Sequence, residues 1–190
     1  MKPLTIEELK ALPYTAHSPA AVVAVYRGIM KKILDVACGG KMFYFDKNDE
    51  RVLFCDKRKI KTNLCDGREF EVNPDMVADF TNLPFDDNSF KLVVFDPPHL
   101  VHNADTEIKG WQQIKYGALQ GDWKSELKKG FAECFRVLEP NGVLIFKWNE
   151  TDIRVSEILK LTDPKPIFGH KSGKNSKTHW VCFMKGALSE

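Results

Sequence analysis

The sequence predicts an α/β three-layer sandwich, built on a seven-stranded, mostly parallel sheet with an antiparallel terminal strand. Three observations lead there. Short apolar runs alternate along the chain with segments of helical periodicity. The clearest runs, Lys91–Phe95 and Val143–Phe146, are almost continuously apolar, as in strands buried on both faces of a parallel sheet. The last two runs lie too close together for the dozen or more residues of a crossover helix, so they are expected to form an antiparallel hairpin.

The elements follow in order. Ser18 and Pro19 read as an N-cap and a first-turn proline, opening a helix to about Met30. Strands are expected at Lys32–Ala37, Arg51–Cys55, Asp75–Ala78 and Phe90–Phe95, the first running into the turn Cys38-Gly39-Gly40. A polar, lysine-rich connection separates the second from the third. Residues 122–138 place apolar side chains at 123, 127, 131, 134, 135 and 138, one face of a helix. Pro140-Asn141-Gly142 ends that helix and leads into a strand at Val143–Lys147. A short helix over Asp152–Leu161 and two strands, Lys165–Phe168 and Trp180–Met184, complete the chain.

Composition bounds the function classes. The 190 residues carry 28 Lys plus Arg against 26 Asp plus Glu, a net charge of +2, with 43% hydrophobic and 28% charged residues. These values exclude collagen-like and disordered classes, and no apolar run approaches the roughly 20 residues of a membrane helix. One domain spanning 1–190 is expected, with an N-terminal helical segment at 1–30. The N-terminus has no signal-peptide core, which reads as a cytoplasmic protein without membrane contact. Five dispersed cysteines without a Cys-x-x-Cys pair point to reduced, mostly buried thiols.

Parallel sheets bind ligands beyond the carboxyl ends of their strands. Here those ends carry Asp35, Asp56, Asp79 and Asp96, and the first is followed by a glycine turn. One such acid is an ordinary turn former; four in succession are not. An acid after the second strand suits a ribose diol. Neither Gly-x-Gly-x-x-Gly nor a Walker lysine is present, so a nucleoside-type cofactor lacking phosphates fits better than NAD or ATP.

Asp35-Val-Ala-Cys-Gly-Gly-Lys41 resembles the Asp-x-x-x-Gly-x-Gly motif of class I S-adenosylmethionine-dependent methyltransferases, with Lys41 in place of the last glycine. Asn82–Phe90 and Phe135–Leu144 are similar to that family's approaches to its fourth and fifth strands, and the likeness runs in order from about 31 to 185. The segment Tyr14–Pro19 loosely resembles a cofactor-covering segment of some DNA methyltransferases. The resemblance implies a Rossmann-like methyltransferase fold. It implies S-adenosyl-L-methionine as cofactor, met by Asp35, Ala37, Cys38, Gly39, Gly40, Asp56, Lys57, Asp79, Phe80 and Asp96.

Asp96-Pro97-Pro98-His99 is similar to the Asp/Asn-Pro-Pro-aromatic motif of methyltransferases that modify amino nitrogens. An aromatic amino nitrogen is a poor nucleophile because its lone pair is delocalised. Accepting its hydrogens on Asp96 and the Pro97 carbonyl favours a pyramidal nitrogen, and proline fixes the carbonyl's position. His99 then stands where an aromatic residue stacks on the substrate. The alternative is a strand terminator without chemistry.

The connection 100–121 is long enough to be functional or partly helical, with Trp111 and Tyr116 as a substrate lid or as anchors on the core. His99 and His102 have metal-ligand spacing without evident partners, so no metal is expected. His17, His170 and His179 read as surface or hydrogen-bonding residues. Two basic clusters, Lys57–Lys61 and Lys165–Lys185 with Lys171, Lys174 and Lys177, are expected on the active-site rim, where they meet phosphates or simply face water. The combined expectation is a methyltransferase acting on nucleic acid, adenine N6 in DNA first, with His102, Trp111 and Tyr116 on the substrate. RNA amino groups, a protein glutamine or a small molecule are alternative acceptors, and a non-catalytic cofactor-binding scaffold is the alternative of another class.

Overall fold

The computed structural model describes residues 31–102 and 110–186. The helix expected at Ser18–Met30, the Tyr14–Pro19 segment and part of the 100–121 connection lie outside the described residues. In chain order the elements are β1 (Ile33–Asp35), β2 (Val52–Asp56), β3 (Ile60–Asn63), β4 (Glu69–Val72), β5 (Met76–Val77), β6 (Phe90–Phe95) and β7 (Val101–His102). There follow α1 (Trp111–Tyr116), β8 (Leu119–Gln120), α2 (Trp123–Val137), β9 (Leu138–Asn149), α3 (Val155–Ile158), a 3-10 turn over Leu159–Leu161, β10 (Phe168–Lys171) and β11 (Thr178–Met184).

Seven strands form one sheet in the order β10-β11-β9-β6-β1-β2-β5. The pairs from β9 to β5 are parallel, and β11 runs antiparallel between β9 and β10. The strand order reverses at β1, with β2 on one side and β6 on the other, so the carboxyl ends of these strands flank the switch point. β2 and most of β6 are buried because both faces are covered.

Helices are few. Asp122 caps α2 by accepting from the Ser125 N–H, and Leu127, Phe131, Cys134 and Val137 bury its apolar face in the main core with Phe95, Phe146 and Trp148. Gly130 lies where a Cβ would stand 2.7 Å from Phe80 and 2.8 Å from Phe95, so its bare backbone lets helix and sheet meet. Among the described residues the regular strand–helix alternation expected from the sequence is not found. Residues 36–51, between β1 and β2, form turns, and the lysine-rich connection after β2 contains the hairpin β3–β4. On the opposite sheet face Tyr44 packs edge-on against Phe54, with Cys38 and Val52 in the same small cluster.

Two expected boundaries move. Pro140-Asn141-Gly142 does not separate helix from strand: β9 begins at Leu138 and passes through an irregularity, two steps on β6 facing five on β9, with Asn141 inside it at φ 62°. The penultimate strand begins at Phe168, beyond Pro166, which has no N–H for a ladder. The connection 100–121 is not a bare loop: β7 pairs with β8, and fully buried Leu119 anchors it. Among the described residues, no helix is long and apolar enough to cross a membrane, and no group of three or more His, Cys, Asp or Glu side chains is placed to hold a metal.

Candidate active site

The site begins where β1 stops. Asp35 is fully buried and accepts from the Ala37 N–H at 3.1 Å and the Tyr44 hydroxyl at 2.9 Å. Burial pushes its carboxyl up to about 7, with smaller contributions from the charges of Asp96 and Asp56. Burial also raises the Tyr44 hydroxyl, reinforced by Asp35. The chain then turns sharply. Gly39 has φ +49°, and Lys41 closes the turn by donating its N–H to the Cys38 carbonyl at 2.8 Å. Lys41 has φ 52°, a conformation that glycine adopts freely and that costs another residue about 1 kcal/mol. Its ammonium lies 4.1 Å from the Phe54 ring centroid. Gly40 sits under the β3–β4 hairpin, where a Cβ would stand 2.9 Å from Phe70 Cε2.

The end of β2 supplies Asp56, only 4% exposed. One carboxylate oxygen accepts from the Gly39 N–H at 2.9 Å, tying the glycine turn to β2. The other accepts from the Arg58 N–H at 2.8 Å and the Arg58 Nε at 3.2 Å. The same guanidinium donates to the Ile114 carbonyl of α1 at 3.1 Å. Arg58 therefore fastens the substrate-side connection to the acid at the second strand end.

At the end of β6, Asp96 forms an ion pair with Lys147 at 2.6 Å. Burial raises the Asp96 carboxyl, and Lys147 opposes the rise. His99 is held below its ordinary value by burial and by the Lys147 charge. Its ring stands 5.5 Å from that of Tyr116, tilted by 50°. Pro97 and Pro98 are buried.

These strand ends open into one cavity of about 530 Å³. Of the expected cofactor residues, Ala37, Cys38, Gly39, Gly40, Asp56, Lys57, Phe80 and Asp96 line it, and Lys57 also pairs with Glu126. Asp35 lies beneath the turn rather than on the wall, and exposed Asp79 turns back to accept from the Thr81 N–H and hydroxyl. Of the expected acceptor residues, Pro97, Pro98, His99 and Tyr116 line the cavity. His102 contacts Gln113 instead, Trp111 is 43% exposed on α1, and neither is on the wall. Lys171 is engaged by Glu150 at 3.0 Å, while Lys174 and Lys177 are exposed in the β10–β11 hairpin, off the wall.

Sequence reasoning did not single out several wall residues: Lys147, Asn149, Thr178, Gln112, Lys115, and Arg58, which belongs to the Lys57–Lys61 cluster expected on the rim. A signal existed for Lys147, the polar residue that follows a continuously apolar run at a strand's carboxyl end. None singled out Arg58, one cation in a run of four. A second cavity of about 580 Å³ shares Gly39, Gly40, Met42 and Lys115 with the first, and Lys41, Lys47, Lys61 and Arg68 border it, together with Glu69 and Glu71.

No family model and no curated protein matches the chain. Solved structures do. The 1,6-didemethyltoxoflavin-N1-methyltransferase of Burkholderia thailandensis, with its substrate and S-adenosylhomocysteine bound, aligns over 95% of this chain and 82% of its own, with a TM-score of 0.51 and 12% identity. A protein of Pyrococcus horikoshii aligns over 94% and 98% (TM-score 0.48, 17% identity), and a SAM-dependent methyltransferase of Leishmania major over 95% and 81% (TM-score 0.47, 13% identity). At such identities the likeness is one of fold. The chain has the Rossmann-like architecture of the Burkholderia methyltransferase, a mostly parallel seven-stranded sheet with one antiparallel strand.

Proposed function

We propose that this protein transfers a methyl group from S-adenosylmethionine to the amino nitrogen of a planar acceptor, a nucleic-acid base, with adenine N6 in DNA the foremost candidate. One observation carries the reading. A single cavity joins the Gly39–Asp56–Phe80 wall, suited to a nucleoside, to the Asp96-Pro97-Pro98-His99 wall, suited to an amino group on a flat ring. The residues present fit the cofactor. The glycine turn lets backbone approach a ligand closely, and a carboxylate has about four lone-pair directions, enough for a diol beside the Gly39 N–H. Arg58 yields its place on Asp56 when a diol takes it. When bound, the cofactor supplies a methyl group on an electrophilic sulfonium.

The chain's own contribution is positioning. Asp96 and the Pro97 carbonyl accept the acceptor's amino hydrogens, so that its lone pair is freed and aimed. His99, held below its ordinary value by burial, and Tyr116 hold the flat ring. A base within a duplex is flipped out to reach the cavity. Lys41 and Lys47 at the adjoining cavity support a polyanionic acceptor, whereas Lys61 and Arg68 there are engaged by Glu69 and Asp66. A small planar heterocycle is the second reading. It is favoured by the Burkholderia protein, whose bound substrate is 1,6-didemethyltoxoflavin, and by the engagement of Lys171 with Glu150.

The test offers labelled S-adenosylmethionine with single-stranded DNA, duplex DNA, total RNA and small amino-heterocycles, and identifies the products by mass spectrometry. A methylated adenine amino group in DNA is the expected product. Label only in a small heterocycle establishes the second reading. Transfer to no acceptor, with cofactor binding shown on the same sample, points to a scaffold. Asp96→Ala is expected to abolish transfer with the fold intact, and unchanged transfer removes Asp96 from the reaction.

A further inference from the structure

We infer that Lys147 is the positioning residue of this site, holding the Asp96 carboxylate ionised and in one rotation so that a single oxygen meets the acceptor's amino group; this rests on the methyl-transfer reading above. Three strands bring the parts together. Phe95 pairs with Phe146, which puts Asp96 and Lys147 side by side just past the end of β6, and Lys147 pairs with Trp180 across to β11. The ammonium lies 5.1 Å from the Phe43 ring centroid and 5.7 Å from that of Trp180, and those rings meet edge-on at 5.3 Å. A long flexible side chain is thus boxed by two aromatic faces that favour a cation, leaving it few rotamers.

From this box Lys147 reaches Asp96 Oδ2 at 2.6 Å. No described residue donates to Asp96 Oδ1, so that oxygen is left for a ligand in the cavity that Asp96 lines. Burial is the pressure on Asp96; Asp35 on β1 is itself raised by burial, the Tyr44 hydroxyl is already given to Asp35, and His99 on the loop after β6 is held below its ordinary value by burial and by Lys147. Lys147 is therefore the cation that opposes burial at Asp96. A protonated Asp96 has lost one acceptor and gained a donor, which an amino group cannot use.

The experiment compares the full chain with Lys147→Met, which keeps the stem and removes the charge, and Lys147→Arg, which keeps the charge. Carboxyl ¹³C NMR on aspartate-labelled protein follows the titration of Asp96, identified by the signal missing in Asp96→Asn. The pH profile of kcat/KM follows the reaction. In Lys147→Met the Asp96 titration moves to higher pH and the acid limb of kcat/KM moves with it. At pH 7 transfer falls by about 10²-fold, in the range of one positioned acid–base partner. Lys147→Arg restores the titration and most of the rate.

An Asp96 titration identical in the wild type and Lys147→Met overturns the proposal, as does a shifted titration with an unmoved pH profile. A shifted titration in a protein that methylates none of the acceptors upholds the hold of Lys147 on Asp96 and sinks the methyl-transfer reading instead. Circular dichroism and cofactor binding on each variant separate these results from misfolding.

Discussion

Asp35 offers the sharpest test of the electrostatics under the glycine turn. Its carboxyl is fully buried, and burial lifts it from 3.8 to about 7. At about 1.4 kcal/mol per tenfold change in proton affinity, that rise corresponds to about 4 kcal/mol. The sign follows from linkage. The folded state binds this proton more tightly than the unfolded chain, so the contribution to stability is fully present below about pH 4. It declines as pH rises through about 7 and stays absent above. Asp35→Asn cannot ionise. Its amide oxygen still accepts from the Ala37 N–H, and its NH₂ donates to the Tyr44 oxygen. Urea unfolding of both proteins from pH 4.5 to 8.5 reads the difference. The variant is expected to gain on the wild type steadily up to about pH 7 and then hold a constant lead of up to about 4 kcal/mol. A gap between the two that does not change with pH refutes the assignment of a buried, neutral Asp35.

Two further outcomes follow from the packing. Gly40→Ala presses a methyl against the Phe70 ring at 2.9 Å, so it is expected to cost about 1–3 kcal/mol and to weaken cofactor binding. Phe70→Leu in the same chain relieves part of both losses, a coupling that a double-mutant cycle by urea unfolding and calorimetry detects. Arg136 bonds Glu133 and Asp87 and donates to the carbonyls of Phe85 and Leu83 at 2.7 and 2.9 Å. Arg136→Met is expected to lower stability by about 2–4 kcal/mol. Lys at that position recovers only a part, since one ammonium cannot span the fork, and the shift in urea midpoint measures both.

Much of the sheet was legible because burial on both faces leaves a direct trace in sequence. The apolar run of β6 was placed to the residue, and the spacing of Leu127, Phe131 and Cys134 marked α2. The final hairpin followed from chain length alone. Elements whose local pattern is weak were lost. The β3–β4 hairpin has only four half-hidden or buried alternations, Ile60, Thr62, Phe70 and Val72, and its lysines and glutamates masked them, although Asp66-Gly67 is a turn signal. Within the site, the turn glycines and the proline motif were visible because unusual backbone demands unusual residues. Arg58 was not, since nothing distinguishes a cation that faces a carboxylate from one that faces water until the strands are aligned, and the place of Lys147 after an apolar run did not name Asp96 as its partner. Asp79 went the other way: it has the right place in the chain, but its carboxylate closes a local turn on Thr81.

The run of turns after Gly40 has a consequence for how the site exchanges its contents. A glycine turn that opens into a helix presents a fixed column of peptide dipoles to whatever settles there. Here the backbone from 36 to 51 supplies no such column; the charge beside the turn is Asp56, which accepts from the Gly39 N–H, and the wall cations Lys57, Arg58, Lys115 and Lys147 stand at the ends of long side chains. Attraction stored in movable tips is diluted by salt and released by a bond rotation, without any segment having to open. Binding in the cavity then leans on side-chain charge more than on helix dipoles, and a dependence on ionic strength is the expected mark of that difference.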